Sequence, residues 1–390
     1  MTSTSTPVRT LNLPASGGGT REITLNNPAA LVTSPRPAAS RIAYAAGHVV
    51  ADAAISSAGD PTAIDWDATM AIRHSIWKLG LGVAECMDTA QRGMGLDAAT
   101  ALELARRTLT EAATVGGAVV VGVTSDALGT GEYTLEEITN AYVQQLAQIE
   151  AVGGTAVLMA SRHLVQTATN AADYLKVYRA VLDSANNPVI LHWLGAMFDP
   201  ALEGYWGSVL IPECTETVLK LIGGHAEKVA GIKISLLDAD HEVAFRRRLP
   251  SGVRLFTGDD FNYVDLIAGD ELGHSDALLG AFSAVPRFAS AALARLDAGD
   301  IQGFRDILEP TVPLSRLIFE APTQYYKVGI VFLAYLNGQQ DHFRMIGGLE
   351  SGRSLAHLAE VFELANSIGL FENPEAAAAR AEAFFGAQGF

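Results

Sequence analysis

The 390-residue chain is 49% hydrophobic and 18% charged, with a mean hydropathy of +0.21, so it can bury one large core or two modest ones. Its formal net charge of −16 and pI near 4.9 argue against nucleic acid or an anionic membrane as partner, because phosphate binding needs clustered Lys and Arg. Two cysteines, Cys86 and Cys214, are too few for a disulfide framework and suit a reducing cytoplasm. No apolar run is long enough to span a bilayer, and the Ser/Thr-rich start lacks the apolar core of a secretory signal, so a cytoplasmic location is expected.

Residues 1–38 are rich in Ser, Thr, Pro, Gly and Asn, include Gly17-Gly18-Gly19 and Pro35-Arg36-Pro37, and predict an extended, partly disordered arm. From residue 39 onward short β-prone apolar runs alternate with longer segments of helical period, the pattern of repeated βα units around a parallel sheet. Predicted strands cover 41–50, 80–86, 117–124, 154–160, 187–193, 229–234, 253–258 and 276–282. Between them, Asp65 can cap a helix stopping at Gly80, and Asp97 can cap one running to Ala113. Thr134-Leu135-Glu136-Glu137 has the capping-box pattern before a helix reaching about Val152. Eight strands each followed by a helix predict a (β/α)8 TIM barrel over residues 39–298, close to the usual size of about 250 residues. The rival, a doubly wound nucleotide-binding sheet, lacks a Gly-rich turn after the first strand, and no P-loop occurs. Residues 299–390 hold helical segments and predict a C-terminal helical region packed on the barrel.

A barrel gathers its active site at the carboxyl ends of the strands. Polar residues expected there are His48; Glu85 and Asp88; Thr124, Ser125 and Asp126; Arg162 and His163; His192 and Trp193; Lys233 and Ser235; and Thr257, Asp259 and Asp260. Lys233 stands out, a lone lysine in the apolar run Val229-Ala230-Gly231-Ile232-Lys233-Ile234-Ser235. Alternation turns Ile232 and Ile234 toward the outer helices and Lys233, with Ser235, into the barrel mouth. Desolvation favours the neutral amine, which can attack a carbonyl and form a Schiff base. The plainer reading is a lysine that snorkels to solvent from a strand end. Cys86 reads as a small buried hydrophobe, and Arg246-Arg247-Arg248 as a solvated helix face.

The run Val229 to Lys233, with Leu255-Phe256-Thr257-Gly258-Asp259-Asp260, Gly273 through Ala277-Leu278-Leu279-Gly280, and Val285-Pro286, resembles the dihydrodipicolinate synthase/N-acetylneuraminate lyase family. Ile64-Asp65-Trp66, Pro188-Val189-Ile190-Leu191 and Tyr326-Lys327 extend the resemblance over most of residues 41–370. It implies a class I aldolase barrel with a C-terminal helical region, Lys233 as Schiff-base lysine, no cofactor beyond that covalent imine, and a homo-oligomer, dimer or tetramer, toward which the N-terminal arm could reach. Two departures stand out. His192 occupies the place of the family's proton-relaying tyrosine, and a histidine can do general acid/base work or simply be hydrogen-bonded in the barrel. The family's Gly-Thr-Thr-Gly-Glu carboxylate clamp is replaced by Ala84-Glu85-Cys86-Met87-Asp88-Thr89; Gly129-Thr130-Gly131-Glu132 comes one βα unit later and reads as a turn before the Thr134 cap. Glu85 and Asp88 would repel an anion, so a sugar-like carbonyl compound fits better than pyruvate, unless Arg162 meets a keto-acid carboxylate.

Lys233, His192 and Glu85 are therefore the expected catalytic groups, and His48, Asp88, Asp126, Arg162, Trp193, Ser235 and Asp259 the expected substrate-binding groups of a lyase, aldolase or dehydratase. The alternative is a metal-dependent barrel isomerase or hydrolase in which Glu85, Asp88, Asp126, His192 and Asp259 hold a divalent ion, although no local motif such as His-Glu-x-x-His occurs. A third reading is a barrel that only binds or scaffolds.

Overall fold

The computed structural model describes residues 9–58, 60 and 63–390. Thr10–Pro14 (β1) and Thr20–Thr24 (β2) form an antiparallel hairpin, where sequence reading expected an irregular arm. Alternation in the short stretch Leu11-Asn12-Leu13 buries both leucines, and the turn is made at Gly18 and Gly19, whose φ angles are positive. The hairpin and the chain after it fold back on the C-terminal helices: Asn366 Oδ1 accepts from Asn26 N at 2.9 Å, and Gly369 O accepts from Ala29 N at 2.8 Å. A Cβ on Gly369, where φ is +66°, would lie 2.6 Å from Ala29 N. The hairpin and the chain after it thus contact the helices of their own chain, and the expectation for residues 1–8 lies outside the described residues.

The barrel strands are Ala43–Ala46 (β3), Gly82–Glu85 (β4), Val119–Val123 (β5), Thr155–Leu158 (β6), Val189–Leu194 (β7), Val229–Ser235 (β8), Arg254–Thr257 (β9) and Asp276–Leu279 (β10). All pair in parallel in sequence order, and β10 returns to β3 through Ala277↔Ala43 and Leu279↔Ala45, closing the predicted (β/α)8 barrel. Runs such as Val119-Val120-Val121-Gly122-Val123 suit this place, since a barrel strand is covered on both faces. The interior is filled by Ala46, Ala84, Val120, Val157, Ile190, Phe256 and Leu278, while the alternate residues pack against the helices.

The helix starts follow the predicted caps. Asp65 accepts from Ala68 N, Asp97 from Thr100 N, and Thr134 with Glu137 completes a capping box, each worth about 1 kcal/mol. After helix Pro286–Asp297, five helices and short 3-10 turns make up the C-terminal region, with helix Tyr326–Leu336 buried on nearly every residue. No helix among the described residues is long and apolar enough to cross a membrane.

Candidate active site

The β7–β8 register sets His192 beside Lys233, and the β8–β9 register sets Lys233 beside the inward Phe256. Ile232 and Ile234 lie in the outer core, so Lys233 enters the barrel mouth from the layer above Gly231, as alternation predicts. Its side chain is buried and makes no hydrogen bond or ion pair among the described residues. Burial pulls the amine below the ordinary lysine value, opposed by the charges of Asp260 and Asp88. Gly258 fixes the fit: a Cβ there would sit 2.6 Å from Lys233 Cε and collide with Ser235 Oγ.

Three polar groups surround the amine. His192 Nε2 shares a 3.1 Å hydrogen bond with Ser235 Oγ, and Nδ1 lies 3.3 Å from Met159 Sδ. Burial, with Lys233 and Arg92 adding to it, holds the imidazole well below its usual pKa and hence neutral. Asp260 Oδ1 accepts from Ala281 N at 2.8 Å, and its carbonyl accepts from Ser315 Oγ at 2.6 Å. Burial lifts the Asp260 carboxyl to about 7 despite the nearby Lys233, so it exchanges its proton near neutrality. Asp88 supplies the second negative charge felt by Lys233, and Arg92 Nη2 donates to it at 3.2 Å.

Helix Tyr326–Leu336 brings Tyr326 to this end of the barrel, where its hydroxyl shares a 2.7 Å hydrogen bond with Thr89 and its ring stacks on Phe319 at 4.4 Å. The adjoining Lys327 is buried, donates to Gln324 O at 2.6 Å, and is pushed down to about 8 by burial.

A family model matches residues 11–390, under the description "Protein of unknown function (DUF993)". The chain belongs to the DUF993 family. No curated protein matches its sequence. Among solved structures it is similar to YagE, a prophage protein from E. coli K12 belonging to the dihydrodipicolinic acid synthase family and in complex with pyruvate, at 15% identity and a TM-score of 0.67 over 85% of this chain and 100% of that one. Dihydrodipicolinate synthase from Aquifex aeolicus matches at 15% identity and a TM-score of 0.65 over 85% and 100% of the two chains. The enzyme from Oceanobacillus iheyensis matches at 16% identity and 0.63 over 84% and 96%. This DUF993 chain therefore shares the dihydrodipicolinate synthase fold, and the resemblance seen in its sequence holds at that level.

In this DUF993 chain only part of the expected constellation converges. Lys233, His192, Ser235 and Asp88 do. Glu85 does not: it faces outward from β4, where Arg73 Nε and Nη2 donate to its carboxylate at 2.8 and 2.9 Å and Thr108 Oγ1 at 2.6 Å, with both members of the ion pair fully buried. Trp193 also points outward, edge-on to His241 and Phe245 at 5.3 and 6.1 Å. Asp259 caps its own loop, accepting from Phe261 N and Asn262 N at 2.9 and 3.0 Å. His48 is held by Gln340 at 2.9 Å and lowered to about 4 by burial.

Asp126 and Arg162 are each taken by another charge, Arg92 at 2.8 Å and Asp199 at 2.6 Å. Of the five groups expected to hold a metal, Glu85 and Asp259 are engaged elsewhere, Asp88 and Asp126 are both tied to Arg92, and His192 is bonded to Ser235; no set of three or more His, Cys, Asp or Glu among the described residues is arranged to hold an ion. Cys86 is a buried free thiol, as expected. The arginine triplet ends helix Ala239–Arg246 in ion pairs with Asp270 and Glu216.

Asp260 is the buried carboxyl beside Lys233 that the expected site left out in favour of its neighbour. Phe256 and Gly258 face the interior, so continuing the alternation by two more residues would have selected Asp260 and rejected Asp259. Arg92, Tyr326 and Lys327 come from loops and the C-terminal region, where no periodicity ties them to the strand ends.

Proposed function

We propose that this chain is a Schiff-base-forming lyase of the aldolase or dehydratase type, acting on a carbonyl compound through Lys233 without a further cofactor. The observation that carries this reading is the Lys233 amine, buried in the barrel mouth and left without a hydrogen-bond partner among the described residues. The neutral amine adds to the substrate carbonyl, the resulting carbinolamine loses water, and the protonated imine accepts the electron pair released by the scissile carbon–carbon or carbon–hydrogen bond. Protonation of the enamine carbon and hydrolysis return the amine. Asp260, poised near neutrality, gives the proton that leaves with water and then, as carboxylate, faces the iminium. The neutral His192 and Ser235 pair relays the proton where the related family uses a tyrosine.

The substrate is a keto acid or sugar-like carbonyl compound. YagE's complex with pyruvate supports the first, and the carboxylates of Asp88 and Asp260 beside the lysine, which accept from hydroxyls, support the second. A homo-oligomer in the cytoplasm completes the reading, checked by light scattering on the purified chain. The deciding experiment is borohydride reduction in the presence of pyruvate, dihydroxyacetone and keto sugars, followed by peptide mass spectrometry. A reduced adduct on Lys233 supports the proposal, and turnover of a substrate that never traps there ends it.

A further inference from the structure

The hydrogen bonds around Lys233 discriminate between a keto acid and a sugar-like ketone. Lys233 keeps 8% of its surface exposed and the Asp88 side chain 19%, so both reach the open space of the mouth. One oxygen of each neighbouring carboxylate is taken: Asp88 Oδ1 accepts from Arg92 Nη2 at 3.2 Å, and Asp260 Oδ1 from Ala281 N at 2.8 Å. Neither second oxygen is sealed from solvent. Such an oxygen accepts strongly from a hydroxyl. The guanidinium groups at this end are committed to acids. Arg92 gives one terminal nitrogen to Asp126 at 2.8 Å and the other to Asp88, and Arg162 donates to Asp199 at 2.6 Å. Lys327 donates to Gln324 O at 2.6 Å and lies against Met94 Sδ at 3.2 Å. A keto-acid carboxylate would therefore lie beside two like charges, with no guanidinium free of an acid to receive it.

The C-terminal region supplies the rest of the wall. A Cβ on Gly280, which follows β10, would lie 2.8 Å from Phe319 Cζ and 3.2 Å from Tyr326 Cε2. These two stacked rings press on the turn that holds Asp260, and Phe198, beyond β7, meets them edge-on at 6.4 and 6.1 Å. Tyr326 Oη shares its 2.7 Å hydrogen bond with Thr89, the residue after Asp88. Two hydroxyls bring two protons to that one bond, so one proton remains to donate. Burial, reinforced by the charges of Asp88 and Asp260, keeps the phenol protonated. We propose that the substrate is a neutral polyhydroxylated ketone whose hydroxyls donate to Asp88 and Asp260, and that Tyr326, held by Thr89, sets this specificity by donating to a further substrate oxygen. The ring of Tyr326 then covers the carbon chain. This inference rests on the imine-forming role proposed for Lys233.

The test is borohydride trapping on the full chain with L-erythrulose, a four-carbon ketone that stays open-chain, against 2-oxobutyrate, the keto acid of equal length. Adduct at Lys233 is read by peptide mass spectrometry relative to adduct at the exposed Lys176 and Lys220, which cancels the intrinsic reactivity of each probe. On that scale erythrulose should trap at least about 10-fold faster. Tyr326→Phe and Thr89→Val should each lower the ratio of the two probes by about 5-fold or more, with 2-oxobutyrate trapping close to wild type. Asp88→Asn, which removes an acceptor and frees a nitrogen of Arg92, should move the ratio furthest toward the keto acid. Where one variant does not fold, the others carry the comparison. Trapping of 2-oxobutyrate as fast as erythrulose overturns the proposal, most directly if Lys327→Met abolishes it, and so does a ratio that none of the three variants changes. In those cases the imine reading stands, because Lys233 is still modified. A Lys233 untouched by erythrulose, 2-oxobutyrate and pyruvate alike overturns both.

Discussion

Two pairs of opposite charge are buried in this barrel, and they are built in opposite ways. Arg73 and Glu85 meet in a two-pronged contact outside the strands, with Thr108 and backbone carbonyls taking the remaining hydrogen bonds. Lys233 and Asp260 face each other inside the mouth, near enough to feel one another's charge yet without a direct bond, and both are displaced toward their neutral forms. Saturation makes a strut; incompleteness leaves the two groups that the proposed mechanism uses as nucleophile and proton carrier.

The largest effect expected from breaking this contrast is at Lys233. Lys233→Met should abolish the borohydride adduct and lower turnover by about 10⁴-fold or more, roughly 5.5 kcal/mol of barrel-mouth chemistry, while leaving the unfolding midpoint unchanged or higher because a buried amine is gone. Glu85→Ala should do the reverse, costing about 3–5 kcal/mol in denaturant unfolding because Arg73 is left buried and unpaired, with adduct formation preserved in the folded fraction. A smaller effect separates binding from proton transfer: Asp260→Asn should still trap ketones on Lys233 but lose about 10²-fold in turnover and flatten the limb of the pH profile near 7.

The last expected effect is read as a pH slope and concerns a third buried carboxyl, Glu242, which accepts from Thr257 and Ser275 and is pushed up to about 8 by burial. Its folded value lies above the unfolded value near 4.3, so the folded chain keeps a proton that the unfolded chain releases. The stability this contributes at low pH is lost as pH rises through about 8, with a slope of up to about 1.4 kcal/mol per pH unit. Glu242→Gln should remove that slope, read from urea midpoints between pH 5 and about 9.

The sequence patterns that carried the fold were the short valine-rich runs and the capping residues Asp65, Asp97 and Thr134, all of which act locally. Lys233 was legible because alternation was followed through Ile232 and Ile234. Glu85 and Trp193 were misassigned where polarity at a strand end was taken without that alternation: Ala84 and His192 are the inward members of their pairs. The hairpin was missed because two leucines two residues apart make too short a pattern to rise above a polar, glycine-rich stretch. The partners of Glu85 were hidden for another reason, since Arg73 and Thr108 reach it from two successive helices.

The hairpin has a consequence for how the molecule comes apart. By tying the residues ahead of the barrel to the helices that follow it, through Asn26 and Asn366, the strap links early and late segments of the chain around the whole (β/α)8 unit. Among the described residues, heat or denaturant should consequently release hairpin, barrel and helical region in one cooperative transition, so that a protease finds the C-terminal helices no easier to remove than the barrel itself.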